Sequence, residues 1–128
     1  MTIKSSQKLV AEALKIIKTI SPLEALELSN NNKCNLIDIR DTVELQKLGR
    51  IDNSFHVSRG LLEFSIHPES AYVQSNNLDL NKEIVLFCAA GGRSALAAKT
   101  LKEMGFKKVS HIEGGFGAMP NSGFKIIK

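Results

Sequence analysis

Long apolar runs are missing from this chain. No stretch of its 128 residues approaches the ~20 needed to cross a bilayer as a helix, so no membrane span is expected. Cysteine is scarce, with only Cys34 and Cys88 present. Small secreted folds that depend on disulfides carry more, so a reduced, cytoplasmic protein is the expectation. There is no apolar h-region followed by a cleavage site. The basic, amphipathic opening contains Glu12 and no arginine, so it reads as an ordinary helix and not as a transit peptide. Aromatic residues make up 5% of the chain, and the lysines are not interleaved with them as in a single-strand binder. A net charge of +4 spread along the chain describes a solvated surface, and no nucleic acid is expected as partner. Such a surface still draws a small anionic substrate. His56, His67 and His111 have no metal-ligand spacing with one another or with the cysteines. Neither a zinc site nor a cofactor is expected.

What is present suits a single domain whose core needs neither disulfide nor metal. Leu9, Ala13, Ile16 and Ile20 recur at helical spacing, which predicts a helix from about Lys4 to Thr19. Residues 1–20 are therefore read as an amphipathic N-terminal extension to a domain spanning 21–128. Ser21, Pro22 and Glu24 open a second helix, and Asp41 with Glu44 opens a third that stops at Gly49. "CNLIDIR", "SFHV", "EIVLFC" and "KKVSHI" are short apolar runs between breakers and read as strands. "RGLLEFSI" reads as a brief helix, "HPESAYVQSNNLDLNK" as a long loop, and "RSALAAKTLKEMG" as the clearest helix. "EGGFGAMPNSG" is a glycine-rich turn with a short helix, and a lone glycine pair there is weak evidence for phosphate binding. Strands that alternate with helices and are apolar on both faces give an α/β fold with a parallel sheet covered on both sides.

In such sheets ligands bind beyond the carboxyl ends of the strands. Cys88 lies at one such end, and Asp38, Arg40 and Arg59 lie at or just past two others. Ala89, Ala90, Gly91 and Gly92 separate Cys88 from Arg93, and a helix follows near Ser94. Small residues let successive N–H groups turn inward as an anion-binding nest, and the helix start adds partial positive charge. Arg93 adds a permanent charge. These features favour a thiolate, the nucleophilic form of cysteine. Ser94 is placed to cap the helix or to donate to a bound anion. Arg59 is a candidate for meeting the anion. Asp38 and Arg40 either support the loop or form a salt bridge at their strand end. Cys34 precedes a buried strand at the end away from Asp38, and inert packing is the expectation for it.

The chain resembles the single-domain rhodaneses, which are sulfurtransferases, from about Ser21 to Gly123. The likeness rests on "LIDIRDTVE", "GRID", "SRGLLEF", "CAAGGRS" and "HIEGGF". It implies a five-stranded parallel sheet between helices. It also implies a cycle in which the Cys88 thiolate takes the outer sulfur of a donor such as thiosulfate, releases sulfite, and passes the sulfur to cyanide or a thiol. Related phosphatases carry one more residue between cysteine and arginine. The four residues here resemble the sulfur-handling version, which argues against phosphatase or arsenate reductase chemistry. The alternative kept open is a persulfide carrier or interaction module that serves a specific sulfur-donor protein with little turnover of thiosulfate. Arg50, Asp52, Asn53, Ser54 and Met119 depart from the family pattern at positions that look structural. The partner of the N-terminal helix and the oligomeric state are left open.

Overall fold

The computed structural model describes residues 2–128. Strands β1 (Lys18–Ile20), β2 (Cys34–Asp38), β4 (Phe55–His56), β5 (Glu83–Phe87) and β6 (Val109–Ile112) form one sheet in the order β1-β6-β5-β2-β4. Every neighbouring pair in it is parallel. Helices α1 (Ser6–Leu14), α2 (Pro22–Asn30), α3 (Thr42–Leu48), α4 (Leu62–Ser65), α5 (Ala71–Ser75), α6 (Gly92–Glu103) and α7 (Gly115–Ala118) connect and flank the strands. The sheet is a five-stranded parallel one flanked by helices, as expected.

Alternation along the strands divides the core in two. Ile37, Ile84 and Leu86 join Ala97, Ala98 and Leu101 of α6 with Leu62 of α4 and Val73 of α5. Their neighbours Leu36, Val85 and Phe87 join Ala25 of α2 with Phe116 and Met119 on the other side. A period of two on a sheet covered on both faces requires this division.

The N-terminal segment differs from its predicted form. Helix α1 ends at Leu14, and Lys18–Ile20 instead extends the sheet as β1, with Thr19 opposite His111 and Ile20 opposite Ile112. The β-branched residues Ile16, Ile17, Thr19 and Ile20 favour an extended chain. The edge of β6 also offers backbone partners that a longer helix would leave unmatched. Helix α1 buries Ala13 and lies against α6, with Val10 near Gly92. The predicted loop after His67 contains α5, capped where the Ser70 hydroxyl accepts the Val73 N–H at 3.2 Å. Five residues are too few to show helical periodicity. Strands β3 (Arg50–Ile51) and β7 (Ile126–Ile127) pair antiparallel as a separate ribbon, also below the length at which sequence pattern speaks. The departures from the family pattern fall beside this ribbon. Arg50 donates to the Ser54 carbonyl at 2.9 Å, and Met119 is fully buried.

Candidate functional site

Strand β5 delivers Cys88 to the carboxyl edge at the centre of the sheet, and α6 starts four residues later. Gly91 is the N-cap of α6 at φ +116°, a conformation that glycine alone adopts without strain. This turn aims the Gly91 N–H at the Cys88 sulfur, with nitrogen and sulfur 3.1 Å apart. Ser94 N–H donates to the same sulfur at 3.3 Å, and the Ser94 hydroxyl oxygen lies 3.5 Å from it. The first bond of α6 after the cap runs from Ala95 N–H to the Gly91 carbonyl, so the N–H groups of Gly92 and Arg93 have no acceptor in their own helix. Cys88 is almost completely covered, Ala89 is half-buried, and Ala90 is exposed.

The loop is braced from below by α7. Phe116 N–H donates to the Cys88 carbonyl at 2.7 Å, and Gly117 N–H donates to the Ala89 carbonyl at 3.2 Å. Gly115 adopts φ +55°, and a β-carbon there would overlap the carbonyl of Cys88 and the backbone of Ala89. The second glycine of "GGF" is thus the point where two backbones touch. The sequence marks the pair only as a turn, because the close approach joins segments far apart in the chain.

The guanidinium and carboxylate of Arg40 and Asp38 are both fully buried and pair at 2.8 Å. Arg40 also donates to the Gly49 carbonyl at 3.0 Å and lies over the Phe116 ring, 3.8 Å from its centroid. Its Nη1 has no hydrogen-bond partner among the described residues. The pair therefore sits under α7, one contact away from the Cys88 loop.

Arg93 turns to Glu44 of α3 in a two-pronged ion pair of 2.7 and 3.0 Å. The guanidinium and an N–H bond from Asp41 hold the Glu44 carboxyl down at about 2, although partial burial opposes this. The same pairing pushes the Arg93 guanidinium further up. Arg59 is occupied as well, paired with Glu63 at 2.8 Å and donating to the Thr100 hydroxyl at 3.3 Å. The edge of the sheet thus gathers Cys88, Ser94, Arg93, Asp38 and Arg40, while Arg59 reaches the flank of α6. Glu44 was legible only as a helix cap. His111 has no metal-ligand spacing in the sequence, yet its Nδ1 lies 2.9 Å from the Ser94 hydroxyl. No cluster of three metal-binding side chains occurs among the described residues, and no helix among them is long and apolar enough to cross a membrane.

The rhodanese-like domain family matches residues 21–120. The chain belongs to that family. A protein of unknown function from Rhodopseudomonas palustris, described as a possible tyrosine phosphatase, shares 42% identity and superposes with a TM-score of 0.85 over 99% of this chain and 98% of that one. The polysulfide-sulfur transferase homodimer of Wolinella succinogenes shares 35% identity at a TM-score of 0.74, covering 94% of this chain and 85% of its own. The candidate sulfur carrier protein YrkF of Bacillus subtilis is 33% identical over 95 residues, 73% of this chain and 46% of YrkF. A tRNA uridine(34) hydroxylase of Chlamydia pneumoniae is 31% identical over 121 residues, 90% of this chain and 36% of the hydroxylase. The chain thus spans less than half the length of these two curated relatives. The proteins it is similar to are thus named for sulfur transfer, for sulfur carriage and for tRNA hydroxylation.

Proposed function

We propose that this protein is a sulfurtransferase that holds a sulfane sulfur as a persulfide on Cys88. The observation that carries the reading is the convergence of the Gly91 and Ser94 N–H groups on the Cys88 sulfur at the start of a twelve-residue helix. Hydrogen bonds to an ionised group are about twice as strong as neutral ones, so this placement favours the thiolate. The thiolate attacks the outer sulfur of a donor of the thiosulfate type. The donor's sulfur–sulfur bond breaks, its electron pair leaves with sulfite, and a new sulfur–sulfur bond forms at Cys88. An acceptor thiolate then attacks the outer sulfur, and Cys88 departs as thiolate.

In this reading the backbone of Ala89, Ala90, Gly91, Gly92, Arg93 and Ser94 lines the anion site. Asp38 and Arg40 hold the loop in place through Phe116. Arg59 meets the donor anion only by leaving Glu63 or Thr100. No cofactor enters the cycle. The partners are a small anionic sulfur donor and a thiol, in the cytoplasm.

A second reading has one observation in its favour. The Arg93 guanidinium, at the end of the loop, is committed to Glu44 and not free to gather thiosulfate from solution. A persulfide carrier loaded by a partner protein does not need that charge. Intact mass after thiosulfate, beside loading from a protein persulfide, separates the two. Sulfur gain from thiosulfate with repeated turnover to a thiol supports the enzyme. Gain from the protein donor alone supports the carrier.

A further inference from the structure

A line of hydrogen-bonding side chains runs from the covered sulfur to the surface. The Cys88 sulfur lies 3.5 Å from the Ser94 hydroxyl oxygen, that oxygen 2.9 Å from His111 Nδ1, and His111 Nε2 3.0 Å from the Thr19 hydroxyl oxygen. Ser94 and His111 are buried, whereas Thr19, on edge strand β1, is exposed. Ser94 has one proton and three acceptors in reach: the sulfur, His111 Nδ1, and the Gly91 carbonyl at 3.2 Å. The imidazole decides between the first two. With hydrogen on Nδ1, the ring donates to Ser94 and leaves the hydroxyl proton free for the sulfur. With hydrogen on Nε2, Nδ1 takes that proton, and Ser94 can only accept from the Cys88 thiol. The Thr19 hydroxyl suits either state, since it donates and accepts.

We propose that His111 is a positioning residue whose tautomer follows the charge on Cys88, and that Ser94, His111 and Thr19 conduct the thiol proton to solvent. The idea builds on the sulfur-transfer reading of Cys88. When the thiolate forms, the thiol proton passes to Ser94 and Ser94's own proton passes to Nδ1. The Nε2 proton passes to Thr19, and the Thr19 proton passes to water. Each relay group ends neutral, and the only new charges are the thiolate and a hydrated proton. The thiolate then receives a hydroxyl donor in addition to its two amides, as does the thiolate released when an acceptor takes the sulfur.

The surroundings of the ring suit a neutral relay. Burial holds His111 below the usual imidazole range, against the opposing pull of Glu113, the charged side chain that acts on it. Ser94 of α6, Thr19 of β1 and Gly91 of the loop face the ring without charge.

The direct test reads the His111 ring nitrogens by two-bond proton–nitrogen correlation in the intact, labelled protein, below and above the pH at which Cys88 ionises. Thiolate absorbance near 240 nm that is lost in Cys88→Ser marks that step. The expected result is hydrogen on Nε2 with the thiol and on Nδ1 with the thiolate, neutral in both. One tautomer throughout, or an imidazolium beside the thiolate, overturns the proposal. A second measurement is alkylation of Cys88 by iodoacetamide at pH 7. Ser94→Ala and His111→Gln are each expected to slow it about tenfold, the worth of one hydrogen bond to a charged group. The double variant should be no slower than the slower single one, because the two act as a unit. Additive losses overturn the relay. Both experiments use resting protein without a sulfur donor, so failure of Cys88 to take sulfur would leave their result standing. A fixed tautomer beside normal sulfur loading would sink the relay alone.

Discussion

Cys34 opens β2 and Cys88 follows β5, two neighbouring strands in which Cys34 lies opposite Glu83. At the rise of a strand the backbones of the two cysteines stand about 17 Å apart, at opposite edges of one sheet. Burial first, and then the Glu83 carboxylate, push the Cys34 thiol up to about 11. The hydrogen bonds that involve a sulfur among the described residues all belong to Cys88. Cys88 is more deeply buried, yet two N–H groups point at its sulfur from a helix start. Burial alone makes a thiol inert, so the difference lies in what lines the cavity. A parallel sheet supplies that difference by its direction, because each strand's carboxyl end faces the N–H groups of the helix that follows.

Several substitutions sharpen this contrast. The largest effect expected is in reactivity: at pH 8, alkylation followed by peptide mapping should label Cys88 at least about a hundredfold faster than Cys34. Equal rates would break the comparison. Next comes Asp38→Ala, which leaves the Arg40 guanidinium buried without its partner. A loss of about 3–5 kcal/mol is expected in denaturant unfolding. Gly115→Ala drives a β-carbon into the Cys88 loop at a φ unsuited to L side chains, for a loss of about 2–3 kcal/mol. Sulfur loading should fall with it, whereas Cys34→Ala at the other edge should leave loading unchanged.

The smallest effect is that of Glu44→Gln. Glu44 and Arg93 are both partly exposed, so solvent screening limits the loss to about 1 kcal/mol or less. The folded-state carboxyl of Glu44 is depressed, so its contribution is complete above the ordinary carboxylate range, near pH 4. It is lost as pH falls from there to about 2, where Glu44 takes a proton. Acid titration of stability in the wild type and in Glu44→Gln should therefore converge at the low end of that window.

Much of the sheet and the position of Cys88 could be read from the chain, because buried strands and capped helices leave local patterns. Cys34–Asp38 and Glu83–Phe87 are apolar runs between breakers, and Ser21 with Glu24 is a cap that the fold forms at 3.1 Å. Residues 18–20 were not legible as a strand, since Ile16 and Ile20 fit a helical period equally well and only the free edge of β6 decides. The partners of the site were hidden for a related reason. Glu44 meets Arg93 across 49 positions and Thr19 meets His111 across 92. Gly115 touches Cys88 through backbone alone. Such contacts leave no spacing rule in a single sequence.

Under the proposed function Cys88, and not Cys34, carries the transferable sulfur. Intact mass of the reduced protein after thiosulfate and after a protein persulfide donor, beside Cys88→Ser, tests it most directly. A gain of one sulfur that requires Cys88 and is removed by cyanide or a thiol is the predicted result. No gain from either donor, or a gain that survives Cys88→Ser, would contradict it.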